Sequence, residues 1–202
     1  MQRNFDIIVG APRSGKSYYA GQLLKQWQQN AIIVKHPSNL NDENHAFLPA
    51  KTMSNWRQGA KPGQFVKCKM AFALRKDYLA FLDWFIKEFE QKKFYGILIV
   101  DDATIYEKDR LSEQMEYIIA MRRHYALNVI CIYHGFRRCP IGQFTFVNNL
   151  FVFNTTDEPG SKADVIPKYE KVEMAIQQAR QNFMKTTPKE KYKPVGVNIT
   201  SI

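Results

Sequence analysis

Short apolar runs alternate along this chain with longer stretches in which apolar residues recur every three to four positions. The runs are Phe5 to Val9, Ala31 to Lys35, Phe65 to Met70, Gly96 to Val100, Asn128 to Tyr133 and Leu150 to Phe153. Their length and β-branched content predict buried strands. Between them, Lys16 to Gln29 reads as a helix that ends in polar Gln-Gln-Asn. Asp77 to Lys92 reads as another, with Asp77 as its cap and Leu79, Leu82, Phe85, Ile86 and Phe89 along one face. A third helix is predicted over Arg110 to Tyr125, and a fourth over Tyr169 to Met184, after a break at Pro167. Residues 36–63 are polar, with proline and glycine, and read as a long loop. Strands joined by helices predict an α/β fold, with a mostly parallel central sheet and helices on both faces. At 202 residues the simplest partition is a core over residues 1–160 and a C-terminal extension over 161–202, in which Val195 to Thr200 offers an edge strand.

The loop after the first run changes the picture from fold to chemistry. It reads Val9-Gly10-Ala11-Pro12-Arg13-Ser14-Gly15-Lys16-Ser17 and fits the pattern G-x-x-x-x-G-K-[ST] between a strand and a helix. Glycines let the backbone wrap so that successive N–H groups point at an anion, and the helix adds the positive end of its dipole. Gly10, Ala11, Pro12, Arg13, Ser14, Gly15, Lys16 and Ser17 are therefore the expected phosphate site of ATP. Lys16 would reach the β- and γ-phosphates, and the Ser17 hydroxyl would ligate Mg²⁺.

A second motif closes the run Gly96 to Val100 with Asp101-Asp102. Ligands in open α/β sheets sit beyond the carboxyl ends of strands, where both motifs fall. Asp101 is the expected metal acid, and Asp102 the acid that polarises the attacking water. Glu107 is a second position to which that catalytic role could fall. His134, at the end of another strand, could sense the γ-phosphate; a plain surface histidine is the alternative. Arg122 and Arg123 close the helix before that strand. They either complement the helix dipole or supply an arginine across a subunit interface. Arg137 and Arg138 could serve that purpose or touch nucleic-acid phosphate.

Composition adds limits. No apolar run approaches the roughly 18 residues that cross a bilayer. The early phosphate loop leaves little room for a secretory signal, so a protein that is not secreted is expected. Cys68, Cys131 and Cys139 show no metal-ligand spacing and imply a reduced compartment. The net charge of +10 permits a polyanionic partner without requiring one. Lys67, Lys69, Arg75, Lys76, Arg137 and Arg138 are the cations close to the motifs.

In order, GAPRSGKS, ILIVDD and MRRHYALNVICIYHG resemble the FtsK/HerA superfamily of P-loop motors, of the additional-strand class, and within it the small genome-packaging ATPases of viruses. The resemblance spans about residues 5–155. It implies a P-loop NTPase fold and a ring, usually a hexamer, that hydrolyses ATP at subunit interfaces. It also implies duplex DNA, bound without regard to sequence, and a viral capsid or packaging vertex as partners, and with them a location in host cytoplasm or with the virion. By position, Arg123 matches the arginine of the family's Arg-His segment, here Arg123-His124-Tyr125-Ala126-Leu127. Two departures stand out: the family's catalytic acid is typically Glu where this chain has Asp102, and its sensor is typically Gln or Thr where this chain has His134. Alternatives are a small-molecule P-loop kinase, an assembly ATPase like that of filamentous phages, and an assembly factor that binds nucleotide without hydrolysing it.

Overall fold

Runs of apolar residues with no polar interruption can only be satisfied inside a sheet that is covered on both faces. The computed structural model describes residues 3–37, 48–49, 65–185, 187 and 191–200. Its strands are β1 (Phe5–Val9), β2 (Asn30–Lys35), β3 (Leu48–Pro49), β4 (Lys67–Ala71), β5 (Gly96–Val100), β6 (Leu127–Tyr133), β7 (Asn149–Val152) and β8 (Val195–Asn198). All residues of β1, β2, β5 and β6 are buried. The described strands form one sheet in the order β3-β4-β2-β5-β6-β1-β7-β8. All neighbours are parallel except β7 and β8, so the final strand adds an antiparallel edge. β6 stands between the strand that carries the phosphate loop and the strand that ends in the acids.

Successive side chains of each strand point to opposite faces. Ile8, Ile33, Ile99, Ile130 and Ile132 meet Ala20 and Leu24 of α1 (Lys16–Gln26) on one face. Ile7, Val34, Val100, Val129 and Cys131 belong to the larger cluster on the other face, with α2 (Arg75–Glu90), α3 (Glu113–Met121) and α4 (Tyr169–Phe183). All three cysteines are buried free thiols.

Several boundaries differ from the sequence reading. Asp77 does not cap α2: Leu74, in an extended conformation, is the N-cap, and Asp77 lies inside the first turn, where its charge still complements the dipole. α3 is shorter than Arg110 to Tyr125, because Ser112 caps it by accepting a hydrogen bond from Met115 N. Two residues of the expected 36–63 loop, Leu48 and Pro49, pair with β4; most of that loop lies outside the described residues.

One buried charge in β1 costs stability. Burial raises the carboxyl of Asp6 to about 6, against the hydrogen bonds it receives from Asn149 and the nearby Arg122. A raised acid binds its proton more tightly folded than unfolded. The penalty is absent below the unfolded value of 3.8, grows between 3.8 and about 6, and is constant above. Asp6→Asn should therefore stabilise the protein at pH 7, by up to roughly 3 kcal/mol. Urea unfolding at pH 7 and at pH 4 checks this: the gain should shrink sharply at the lower pH.

Candidate functional site

The phosphate loop leaves β1 between β6 and β7. Gly10 N donates to Tyr133 O at 3.3 Å and Ala11 N to Asn154 O at 2.8 Å, which ties the loop to both neighbouring strand ends. Gly10 has no room for a side chain, since a Cβ there would stand 2.6 Å from Phe153 Cβ. Gly15 is the N-cap of α1 with φ 95°, a left-handed conformation that only glycine adopts at little cost. Pro12 and Arg13 are exposed on the outer turn, Ser14 is buried, and Ala11 is half-buried.

Lys16 turns back into this loop and donates to Gly10 O at 2.9 Å and Ala11 O at 2.8 Å. It is only 5% exposed. Burial pushes its ammonium down to about 8, against the opposing pull of the Asp101 and Asp102 carboxylates. Those two acids follow β5, and the structure brings both to the loop. Ser17 Oγ donates to Asp101 Oδ1 at 3.2 Å. His134 Nε2 lies 3.2 Å from Asp102 Oδ2, and its Nδ1 lies 3.4 Å from Lys16 Nζ. An ammonium has only donors, so Nδ1 is the acceptor and Nε2 carries the proton that Asp102 receives. Asp102 itself has φ 58° and ψ 49°, a left-handed backbone that Asp tolerates better than most residues. Its other oxygen, Oδ1, is buried and takes no hydrogen bond from the protein.

The sequence reading missed one member of this cluster. Lys35 ends β2, next to β5, and its ammonium lies 3.3 Å from Asp101 Oδ2 with a side chain only 3% exposed. Each oxygen of Asp101 is thus held separately, by Ser17 on one side and Lys35 on the other. Lys16 and Lys35 together match the charges of Asp101 and Asp102. Balanced charge is what allows four ionisable groups to share a buried site.

Not every expected residue joins them. Arg122 and Arg123 follow α3 and precede β6, which runs parallel to β1, so they lie at the opposite end of the strands from the phosphate loop of the same chain. Arg122 is 3% exposed, and its guanidinium donates to Ile119 O at 2.5 Å, Phe146 O at 3.1 Å and Asn148 Oδ1 at 3.0 Å. A side chain so enclosed cannot reach into a neighbouring subunit, and this corrects its assignment as a trans-acting arginine. Arg123 is exposed. Glu107 is corrected as well. It is fully buried, and its oxygens accept from Tyr78 OH, Ser112 N and Ser112 Oγ, so it braces the start of α3.

The donor set suits a small hard cation. Mg²⁺ takes few protein oxygens and completes its shell with phosphate and water, and the hydroxyl of Ser17 with the carboxylate of Asp101 supplies that minimum.

No protein-family model matches the chain, and no curated protein matches its sequence. Solved structures do. B204, the genome packaging NTPase of Sulfolobus turreted icosahedral virus 2, superposes in its complex with AMPPCP at a TM-score of 0.70 with 21% identity, over 97% of this chain and 92% of B204. The chain shares the fold of B204. The AMP complex of the same B204 gives 0.69, again at 21% identity, over 98% and 94% of the two chains. B204 of Sulfolobus turreted icosahedral virus, a DNA-packaging ATPase, gives 0.65 at 20% identity, over 89% and 87%. The α/β P-loop fold expected from the sequence is therefore the observed one. No helix among the described residues is long and apolar enough to cross a membrane.

Proposed function

We propose that this protein is an ATP-hydrolysing motor that drives viral DNA into a preformed capsid, acting as a ring, most simply a hexamer. The observation that carries the reading is the meeting of Lys16, Ser17, Asp101, Asp102 and His134 at the carboxyl ends of β1, β5 and β6. Its fold likeness to the packaging NTPase B204 supports it.

In this reading residues 10–17 wrap the triphosphate with backbone N–H groups, and Lys16 moves from the loop carbonyls to the β- and γ-phosphates. The negative charge of those phosphates restores the affinity for a proton that burial takes from Lys16. Mg²⁺, held by Ser17 and Asp101, would supply neutralisation of phosphate charge when bound. Asp102 orients a water for in-line attack on the γ-phosphorus. The bond to the β–γ bridging oxygen breaks, ADP leaves, and the water's protons pass to the phosphate product. His134 lies between Lys16 and Asp102, so it links occupancy of the phosphate site to the position of the catalytic acid. In this reading Arg123, exposed before the amino end of β6, serves the next subunit's nucleotide.

Arg75 and Lys76 follow β4, and Arg137 and Arg138 follow β6, so all four lie at the same end of the strands as the phosphate loop. Lys76 and Arg138 are exposed, while Arg75 Nε donates to Tyr106 O and Arg137 pairs with Asp157 at 3.0 Å, contacts that DNA phosphate would share or replace. Lys67 lies at the other end of β4 and donates to Leu24 O at the end of α1, which removes it from this group. Two to four such cations on backbone phosphates would make duplex affinity fall about ten- to hundred-fold between about 50 and about 200 mM salt. Titrations of unrelated duplexes at both salt concentrations test this. Salt-independent or strongly sequence-dependent binding would contradict the reading.

A further inference from the structure

The C-terminal chain lies across the phosphate loop. A Cβ built on Gly15 would meet Tyr192 Cβ at 3.0 Å and the Tyr192 ring at 3.3 Å. The position of Tyr192 is fixed from two sides. Its ring meets Phe183, the last residue of α4, edge-on at 6.3 Å between centroids, and the Lys191 ammonium lies 4.7 Å from the Phe183 ring and 5.7 Å from the Tyr192 ring. Three residues later β8 begins and is locked to β7. The span Tyr192–Pro194 is therefore short and anchored, not a trailing end.

Across from it stand the first turns of α1. Tyr18 and Gln22 are four residues apart and share one helix face. Tyr18 is 59% exposed, although aromatic rings ordinarily seek burial. Tyr19, by contrast, is engaged with Phe151 and Phe153. Tyr18, Gln22, Tyr192 and Pro194 line one cavity of about 1530 Å³, together with Lys16 and His134. The cavity thus has two chemistries. Around Lys16 it is cationic and rich in backbone N–H groups; between α1 and the tail it is lined by Tyr18, Tyr192 and Pro194, with the Gln22 carboxamide, Thr187 and Lys193 beside them. A triphosphate satisfies only the first.

We infer that Tyr192 is a wall on which the nucleobase of the bound nucleoside triphosphate stacks, with Tyr18 and the Gln22 amide on the facing side. The inference rests on the phosphate grip proposed above and extends it to the other half of the ligand. It makes the C-terminal span part of the nucleotide site. Ring stacking is tolerant of base identity, and the one amide supplies a donor and an acceptor for a base edge.

The test compares two ligands on the full chain: ATP and inorganic tripolyphosphate, each with Mg²⁺, by equilibrium binding. Tyr192→Ala should weaken ATP roughly tenfold, the scale of a lost aromatic–base stack, and leave tripolyphosphate affinity unchanged. Tyr192→Phe keeps the ring and should bind ATP like the wild type. If Tyr192→Ala does not fold, Tyr18→Ala carries the same readout with a smaller loss. Equal losses for both ligands would mean that the tail only props the loop and would overturn the inference, as would unchanged or tighter ATP binding. Wild-type protein that binds neither ligand would instead defeat the phosphate grip itself.

Discussion

Asp102→Asn is expected to leave ATP bound and to slow its hydrolysis by roughly two to four orders of magnitude, the usual worth of a positioned acid–base group. The substitution suits the site for structural reasons. Asn tolerates the left-handed backbone that Asp102 adopts, and it retains an oxygen that can accept the proton of His134 Nε2. Fold and loop should therefore persist. What disappears is the negative charge on an oxygen that is buried and takes no hydrogen bond from the protein. Such a group is costly to maintain, and the proposed role supplies a partner for it, the attacking water. Single-turnover phosphate release, measured alongside nucleotide affinity, separates the two effects. Unchanged release would remove Asp102 from the chemistry, and Glu107 is too enclosed by Tyr78 and Ser112 to replace it.

Arg123→Ala should lower turnover by about a thousandfold or more, as loss of an arginine that stabilises a transferring phosphoryl group does. Because Arg123 stands far from the phosphate loop of its own chain, the loss should appear in trans. Mixing the variant with wild-type subunits should depress activity more than in proportion to the variant added. Arg122→Ala serves as the contrast. It removes the guanidinium from the Ile119 and Phe146 carbonyls and one of two donors from Asn148 Oδ1, which keeps Phe5 N, so it should lower the melting temperature. Arg123→Ala should leave melting almost unchanged. Activity that falls only in proportion to Arg123→Ala content would place the arginine outside the neighbouring site.

The parts of this site that could be read from sequence are those encoded locally. Apolar runs bounded by glycine or acid predict Phe5–Val9 and Gly96–Val100 to the residue, because burial of the apolar positions outweighs even the cost of enclosing Asp6. The loop at 10–17 is written in glycines and a Lys-Ser pair for geometric reasons that hold in any fold. Helix ends were less legible. Asp77 is equally at home at a cap and in a first turn, and the difference depends on the direction in which β4 delivers the chain at Leu74. Lys35 could not be anticipated, since a lysine at a strand end ordinarily reaches solvent. Only the pairing of β2 with β5 turns it onto Asp101. Arg122 shows the converse: next to an exposed arginine in sequence, it is enclosed by Phe146 and Asn148, which arrive from another part of the chain. Tyr192 meets Gly15 by the same kind of long-range closure, which no local pattern records.

Steady-state phosphate release from ATP and Mg²⁺, with and without long duplex DNA, is the most direct measurement of a DNA-driven motor. The predicted result is turnover that rises several-fold on adding duplex of any sequence and that is lost with Asp102→Asn. Turnover indifferent to DNA, or transfer of the γ-phosphate to a nucleoside acceptor in place of water, would contradict it.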